Sequence, residues 1–432
     1  MTHFEVNEHF RWAQNGGRQP GRVKVWFRRR FFDEEPVMFV PEDGFGYNPL
    51  SIGDRLTERS QKGHVYEVVR KLGYGDSSST WLVRSDGEPR FLALKVMIVN
   101  ASLRNFDNED HELRSTFVVT KKNPKHPGYA HCLPMRDFTV CTSYHGLHMA
   151  LAFDVMASGV YSLQKTLPYK VFTPRNARRI VKQVLLALQY MHEECGLVHT
   201  DLRLSNIMVP VTASDTRINK YLAQNPAKTY KPRVDLKTKK LITTVKSQPL
   251  PHFGLNPSLN NLSIKLCDYG KAIPIQKIDH RNQDQCSHIL PILRAPEIIL
   301  GHPWSTPVDI WSVGFLVFKL LTDNVLYPLH ALITADRYKL AHMVNYMGAF
   351  PQRFLAKCTM RNSYFDPEGN PTFPNINISP LKEHVTFILG AKGVSTKEAR
   401  SVAAFMERCL ALDPAARPSA TELLRHEWLC DI

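Results

Sequence analysis

The sequence predicts an α+β protein with two lobes, a small strand-rich N-terminal lobe and a larger helical C-terminal lobe, with a ligand-binding cleft between them. Three runs between residues 64 and 100, HVYEVVRKL, STWLVRS and FLALKVMIV, are rich in β-branched and aromatic residues and are separated by turn residues. A further apolar run, HGLHMALAFDVM, predicts a buried strand at 145–156. From residue 174 onward apolar residues recur at helical spacing, beginning with Ile180, Val184 and Leu188.

Composition narrows the class of protein. Of the 432 residues 43% are hydrophobic, which is ordinary for a chain that buries a core. No run approaches 18 consecutive apolar residues, and the first residues lack the pattern of a secretory signal, so we expect no membrane span and no secretion. The eight cysteines include no C-x-x-C pair, which argues against a zinc site and favours a reducing compartment.

The charge pattern divides the chain further. The net charge is +15, and residues 210–262 hold nine Lys or Arg residues against two Asp residues. We therefore interpret 210–262 as a basic, solvated spacer insertion, and a weaker alternative is an RNA-binding segment. The predicted organisation is an N-terminal extension at 1–45, the N-terminal lobe with a hinge at 46–156, and a C-terminal lobe at 157–209 and 263–432. Helices are predicted at 102–118 and at 174–195, and the second of these precedes the insertion.

A glycine-rich turn lies between the first two predicted strands. Glycine allows the backbone to approach a phosphate closely, although a Gly-X-Gly hairpin turn is common without any ligand. The following segment is a strand rather than a helix, which argues against a dinucleotide-binding turn. The candidate phosphate-binding residues are Leu72, Gly73, Tyr74, Gly75, Asp76, Ser77, Ser78, Ser79 and Thr80.

Single charged residues in apolar surroundings mark the next candidates. Lys95 stands in the apolar strand A-L-K-V, where a lysine needs a partner or a ligand unless it faces solvent. Glu112 on the following predicted helix is the favoured partner, with Glu109 as the competitor. Asp268, in the D-Y-G turn after a strand, and Asn206 offer oxygen ligands that suit a hard ion such as Mg²⁺.

The ordered motifs identify the resemblance. The chain contains G-x-G, A-L-K, a helical Glu, H-T-D-L-R-L-S-N at 199–206, D-Y-G, R-A-P-E at 294–297, D-I-W-S from Asp309, and R-P at Arg417. From residue 64 to 429 it therefore resembles the eukaryotic protein kinases. The resemblance implies ATP and Mg²⁺ as cofactors, Asp201, Lys95, Glu112 and Arg203 as catalytic residues, and Asn206 and Asp268 as metal ligands.

Three features narrow the resemblance to the SR-protein kinases, fungal-type members included. They are the segment GYNPLSIGD at 46–54, Thr200 in place of the usual Arg, and an insertion between Asn206 and Asp268. This resemblance implies a Ser/Thr protein kinase whose substrates include Arg-Ser-rich splicing factors as one class. It also implies an adenine site at Ala93 and at the end of a strand at Phe153, with backbone groups around Asp154 and Met156. We expect a monomer in cytoplasm and nucleus that does not bind nucleic acid directly.

Several residues depart from the general kinase pattern. Without an Arg at position 200 the loop has no anchor for an activation-segment phosphate, so we predict activity that does not require such phosphorylation. Arg203 replaces a Lys, which predicts a slower enzyme. Only Asp323 and Asp336 are available as docking acids after the D-x-W-S helix, and this argues against processive phosphorylation of Arg-Ser segments. The alternative to an enzyme is a pseudokinase that serves as a scaffold.

Overall fold

A computed structural model describes residues 33–56, 60–87, 90–107, 111–234, 241–280, 283–327, 336–373, 376 and 379–430. The chain divides into two compact units. The first unit comprises Met1–Asp110, Met135–Val155 and Val211–Pro251, and the second comprises His111–Pro134, Met156–Pro210 and His252–Ile432.

Thirteen strands are found in the described residues. They are β1 (Arg55–Leu56), β2 (Tyr66–Tyr74), β3 (Ser78–Ser85), β4 (Phe91–Met97), β5 (Met135–Ser143), β6 (Gly146–Phe153), β7 (Met156–Gly159), β8 (Leu197–Val198), β9 (Ile207–Pro210), β10 (Arg233–Val234), β11 (Leu241–Ile242), β12 (Lys265–Leu266) and β13 (Ile273–Pro274).

The α-helices of the described part follow the same chain order. They are α1 (Val99–Phe106), α2 (Glu112–Lys121), α3 (Val160–Thr166), α4 (Pro174–Gln189), α5 (Asp215–Gln224), α6 (Pro296–Leu300), α7 (Pro307–Thr322), α8 (Asp336–Met347), α9 (Gln352–Leu355), α10 (Leu381–Ala391), α11 (Thr396–Cys409) and α12 (Ala420–Leu423). None of the helices in this part of the chain is long and apolar enough to span a membrane.

The first unit is built on one antiparallel sheet in the order β1-β2-β3-β4-β6-β5. Strands β2 and β5 alternate buried with less buried residues along much of their length, whereas β3, β4 and β6 inside the sheet are buried at most positions. The sheet core contains Tyr66, Trp81 and Leu94, and Val245 from the insertion packs into the same cluster. The predicted strands at 64–72, 79–85, 91–99 and 145–156 thus correspond to β2, β3, β4 and β6.

The second unit is helical and is organised around α7. Fourteen of the sixteen residues of this helix are buried, which is typical of a central core helix. Around it lies a large apolar core to which α4, α8, α10, α11 and the loop strands contribute. Thr173 caps α4 by accepting from the backbone N–H of Asn176, and Pro174 occupies its first turn, as helix starts prefer.

Three predictions differ from the structure in their extent. The helix expected at 102–118 is two helices, α1 and α2, and Glu109 lies outside the described residues between them. The helix expected at 174–195 ends at Gln189, where a π-helical turn follows. The insertion expected as a solvated spacer at 210–262 instead contains α5 and the β10–β11 pair, and its residues 211–251 are grouped with the first unit. Residues 1–32 of the expected N-terminal extension are outside the description, whereas 33–45 pack in the first unit.

Candidate active site

The phosphate-loop candidates of the first unit form the turn between β2 and β3. The backbone N–H of Gly75 donates to the Ser78 carbonyl at 2.7 Å, which closes the turn. The Tyr47 hydroxyl donates to the Gly75 carbonyl at 2.6 Å and holds the turn from outside. Around Gly73 no atom lies within 4 Å of the position a Cβ would take, so the backbone there is open to a ligand.

Lys95 lies in β4, in the middle of the sheet. It pairs with Thr80 of β3 on one side and with Leu151 of β6 on the other. Lys95 is half-buried between buried neighbours, and this is the environment the apolar A-L-K-V run predicts. Its register places it across from the last residue of the phosphate-loop segment.

The adenine candidates lie at the end of β6. This strand ends at Phe153, as expected, and Phe153 pairs with Ala93 of β4. The carboxylate of Asp154 is engaged by Arg136, with two nitrogen–oxygen distances of 2.7 Å, so its backbone rather than its side chain is available to a base. Met156 belongs to the second unit, where it begins β7.

The catalytic-loop residues of the second unit are held by the buried carboxylate of Asp309. The backbone N–H groups of His199 and Thr200 donate to its two oxygens at 2.8 and 2.9 Å, and His192 contacts it at 2.8 Å. Burial alone would raise the pKa of Asp309, but these hydrogen bonds lower it below its usual value. The ionised carboxylate therefore fixes the start of the loop.

Asp201 and Asn206 are brought together by the loop. The Asn206 side-chain amide donates from Nδ2 to the backbone carbonyl and to Oδ2 of Asp201, both at 2.9 Å. Arg203 Nε donates to the same Oδ2 at 3.2 Å. The five-residue spacing of the motif thus produces a cross-loop contact that orients the Asp201 carboxylate.

Burial raises the pKa of Asp201, and the nearby Asp268 carboxylate adds to that rise. The positive charge of Arg203 and the hydrogen bond from Asn206 act in the opposite direction. A carboxylate in this environment takes up a proton more readily than an exposed one, as a general base requires.

Asp268 follows β12, whose residue Leu266 pairs with Ile207 of β9 directly after Asn206. The backbone of Asp268 is left-handed, with φ of 65°, a conformation that costs energy outside glycine. Because Asn206 uses its nitrogen for Asp201, its side-chain oxygen is left to accept or to ligate. Two oxygen donors of this kind, supplemented by phosphate oxygens, fit the way Mg²⁺ binds in nucleotide-dependent enzymes.

Glu112, buried at the start of α2, lies beside the D-Y-G turn in the second unit. A Cβ at Gly270 would come 2.8 Å from Glu112 Oε2 and 3.6 Å from Asp268 Oδ1. A larger residue at position 270 would therefore require the Glu112 carboxylate to shift. Glu112 thus lies at the site, and because Glu109 is outside the described residues the preference for Glu112 stays a prediction.

Three residues of the site were missed by the sequence analysis. Tyr47 was noted only as part of a family segment, and Lys71 and His288 were not singled out at all. His288 contacts the Thr200 hydroxyl through Nε2 at 2.7 Å, although 88 residues separate the two in sequence. No local pattern predicts such a long-range pair.

Comparison with known proteins agrees with the geometry. The family model described as protein kinase domain matches residues 66–221 and 234–429. The chain is 24% identical to the serine/threonine-protein kinase SRPK of Physarum polycephalum, over 90% of this chain and 89% of that protein. It is 27% identical to a serine/threonine protein kinase of Aspergillus fumigatus, over 92% of this chain and 90% of that protein.

A further relative and a solved structure are similar in extent. The protein kinase dsk1 of Schizosaccharomyces pombe is 24% identical over 90% of this chain and 84% of its own length. The crystal structure of the kinase domain of PF14_0431 matches 89% of this chain and 98% of its own, with a TM-score of 0.59 and 20% identity. The match to the PF14_0431 kinase domain shows likeness of fold alone.

Proposed function

We propose that this chain, which belongs to the protein kinase family, is a serine/threonine kinase of the SRPK type that transfers the γ-phosphate of ATP to protein substrates. The observation that carries the proposal is the geometry at Asp201, whose carboxylate is oriented by Asn206 and flanked by Arg203. A pseudokinase needs none of these contacts.

Each unit supplies a part of the chemistry. In the first unit the β2–β3 turn from Leu72 to Thr80 and Lys95 hold the phosphates, and Ala93 with the chain at Asp154 holds the base. In the second unit Asp201 accepts the proton of the substrate hydroxyl, while Arg203 stabilises negative charge on the transferring group. Glu112 lies beside the D-Y-G turn that carries Asp268.

We propose Mg²⁺ as the metal and Asn206 and Asp268 as its protein ligands. When bound, the ion neutralises charge on the phosphate oxygens. The oxygen donors available at these two residues suit a hard divalent cation better than a thiophilic one. Cys267, which precedes Asp268, donates its thiol to the Asn206 carbonyl at 3.2 Å and serves in packing.

Arg-Ser-rich proteins are the first substrate class to test, because the relatives named SRPK suggest them. The two acids considered for docking are already engaged by lysines of this chain. Asp323 lies 2.7 Å from Lys165 and 2.8 Å from Lys319, and Asp336 is paired with Lys339. We therefore propose that such substrates bind without docking on Asp323 or Asp336.

The test is transfer of label from radioactive ATP to myelin basic protein and to an Arg-Ser peptide, by wild type and by Asp201→Ala. We expect wild-type transfer to both substrates and loss of both in the variant. Transfer to myelin basic protein alone would remove the Arg-Ser proposal. Absence of transfer to either substrate, from folded protein, would favour the scaffold.

A further inference from the structure

Lys71 is a buried cation directly beside the phosphate loop. It lies in β2, one residue before Leu72, and its side chain is fully buried. Lysine is almost never fully buried unless it is paired, because removing its charge from water costs much free energy. Burial lowers the pKa of Lys71 to about 8, although Glu34 acts to raise it.

The partners of Lys71 come from two distant parts of the chain. Its Nζ lies 2.6 Å from Glu34 Oε2 and is also paired with Glu35. It donates to the Val245 carbonyl at 3.3 Å, across 174 positions of sequence. Ser247 donates to Glu34 from its backbone N–H at 2.6 Å and from its hydroxyl at 2.7 Å.

The backbone of β2 is held by the same segment. The pairing of β2 with β3 is irregular on both sides of Arg70 and Lys71, and a bulge of this kind leaves backbone groups without a ladder partner. Gln248 supplies a hydrogen-bond partner here, because its backbone N–H donates to the Lys71 carbonyl at 2.9 Å. Arg70, also buried, donates to the Asn225 carbonyl and lies 5.3 Å from the Tyr221 ring.

The insertion has its own structure where it meets β2. Ser214 caps α5 by accepting from the Arg217 backbone N–H. The flanks of the β10–β11 pair are joined by backbone hydrogen bonds from Tyr230 to Thr244 and from Lys246 to Lys228. Val245 of the insertion is 3% exposed and belongs to the core of the sheet in the first unit. The described residues 225–234 and 241–250, which we call the strap, are therefore built onto the first unit.

We propose that the strap and Glu34 position the phosphate loop for ATP through Lys71, so that the insertion is a positioning element of the kinase and not a spacer. This inference rests on the proposed function, because it assigns the loop to ATP. Lys71 itself touches no phosphate in this account. It fixes the strand from which Leu72 and Gly73 project, and a small displacement of such a strand is enough to weaken a bound substrate.

The experiment compares Glu34→Gln and Ser247→Ala with wild type. Each change removes a hydrogen bond or a charge from Lys71's surroundings without altering the loop. We expect the KM for ATP and the Kd of ATP, measured by calorimetry, to rise about tenfold, while the KM for the peptide stays unchanged. Ser247→Thr retains the hydroxyl and should restore ATP affinity close to the wild-type value.

The matched control is Glu67→Gln on the same strand. Glu67 also pairs with a cation, Arg84 at 2.9 Å, but that pair is partly exposed and lies farther from the loop. We expect wild-type ATP affinity from this variant. Thermal melting of each variant identifies loss of fold, and if Glu34→Gln does not fold, the Ser247→Ala and Ser247→Thr pair decides.

The outcomes separate this inference from the proposed function. Wild-type protein that binds and uses ATP, together with folded variants of unchanged ATP affinity, overturns the inference and leaves the kinase proposal intact. An equal loss of ATP affinity in Ser247→Ala and Ser247→Thr also overturns it. Wild-type protein that binds no ATP removes both proposals.

Discussion

Thr200 occupies a backbone conformation that its own side chain disfavours. Its φ is 63°, and a β-branched residue in the left-handed region is a genuine outlier. The Thr200 N–H donates to the Asp309 carboxylate, and the Thr200 hydroxyl lies 2.7 Å from both the Lys271 carbonyl and His288 Nε2. Thr200 has one hydroxyl proton and donates it to the Lys271 carbonyl. The hydroxyl oxygen therefore accepts a hydrogen bond from His288 Nε2. Thr200 thus joins two parts of the segment 268–297, which corresponds to the activation segment of kinases.

Thr200→Val tests this role, since valine keeps the shape and loses the hydroxyl. Two hydrogen bonds of about 0.5–1.5 kcal/mol each are removed, so we expect a loss of about 1–3 kcal/mol in unfolding free energy or in local opening of the segment. Denaturant unfolding and hydrogen exchange at the Lys271 and His288 amides measure it. Thr200→Ser is the control, and equal effects from both variants would show that the hydroxyl does nothing.

Asp201 carries a cost in stability that follows from its raised pKa. Because the folded protein binds this proton more tightly than the unfolded chain, the stability from Asp201 falls as pH rises from the usual carboxyl value through the raised one. The penalty begins above the usual carboxyl pKa and is complete once the pH exceeds the raised pKa of Asp201. Asp201→Asn removes the ionisation and should raise the melting temperature at pH 7.

The same variant provides its own control through pH. Below the ordinary pKa of an aspartate the carboxyl is protonated in both states, so the advantage of Asp201→Asn in melting temperature should vanish there. A variant that is less stable than wild type at pH 7 would contradict the raised pKa.

At the scale of elements, the end of the activation segment is fastened to the core by one buried ion pair. Arg417 contacts both oxygens of Glu297, at 2.5 and 2.7 Å, and neither side chain is exposed. Glu297 lies in α6, and Arg417 follows the turn after α11. Arg417 also donates to the carbonyls of Ala411, Pro307 and Leu412, which satisfies its remaining donors.

Arg417→Met should destabilise the fold strongly, because it leaves the Glu297 carboxylate buried without its cation. Loss of one partner from a buried pair costs about 3–5 kcal/mol, measured here by urea denaturation. Arg353→Met is the control, since Arg353 pairs with Asp413 at 2.9 Å but has a largely exposed side chain. Similar losses of unfolding free energy in Arg417→Met and Arg353→Met would show that the buried pair stabilises the fold no more than the exposed one.

The activation segment as a whole should not need phosphorylation. Its anchors are Thr200 to Lys271 and His288, and Arg294 donates to the carbonyls of Ile289 and Ser287 at 3.2 and 3.1 Å. All of these contacts are made by groups of the chain itself. We expect phosphatase-treated enzyme to keep its full rate, measured as initial velocity after the phosphatase is removed, and a collapse of the rate would contradict this.

Local signals predicted the elements that have a strong period or a clear boundary. Strands β2, β3, β4 and β6 and helix α4 follow from apolar patterns in the chain. Strand β5 was not predicted, because Arg136, Asp137 and Thr139 interrupt its apolar pattern. Asp137 is buried nonetheless, since Ser60 and Tyr66 donate to its carboxylate. That compensation depends on the tertiary structure and has no local signature.

At the scale of the whole molecule, motif order predicted the kinase fold, which the family match confirms, and it singled out the candidate site residues. Asp201, Asn206 and Asp268 were predictable because their chemistry depends on spacing within short loops. The strap was not, since its basic, weakly apolar composition also suits a solvated spacer. Composition does not show that Val245 and Gln248 contact β2 and that Ser247 contacts Glu34, because these partners lie far away in sequence. Charge counts cannot show which lysine is buried.

The central claim is that this loop transfers phosphate through Asp201. Its most direct test is the initial rate of label transfer from radioactive ATP to a peptide by wild type and Asp201→Asn, at ATP concentrations saturating for both. A general base contributes about 10²–10⁴-fold, so we predict a rate reduced by that factor with the Kd of ATP unchanged. A variant that transfers phosphate at the wild-type rate, or a folded wild type that binds ATP and transfers none, would contradict the account.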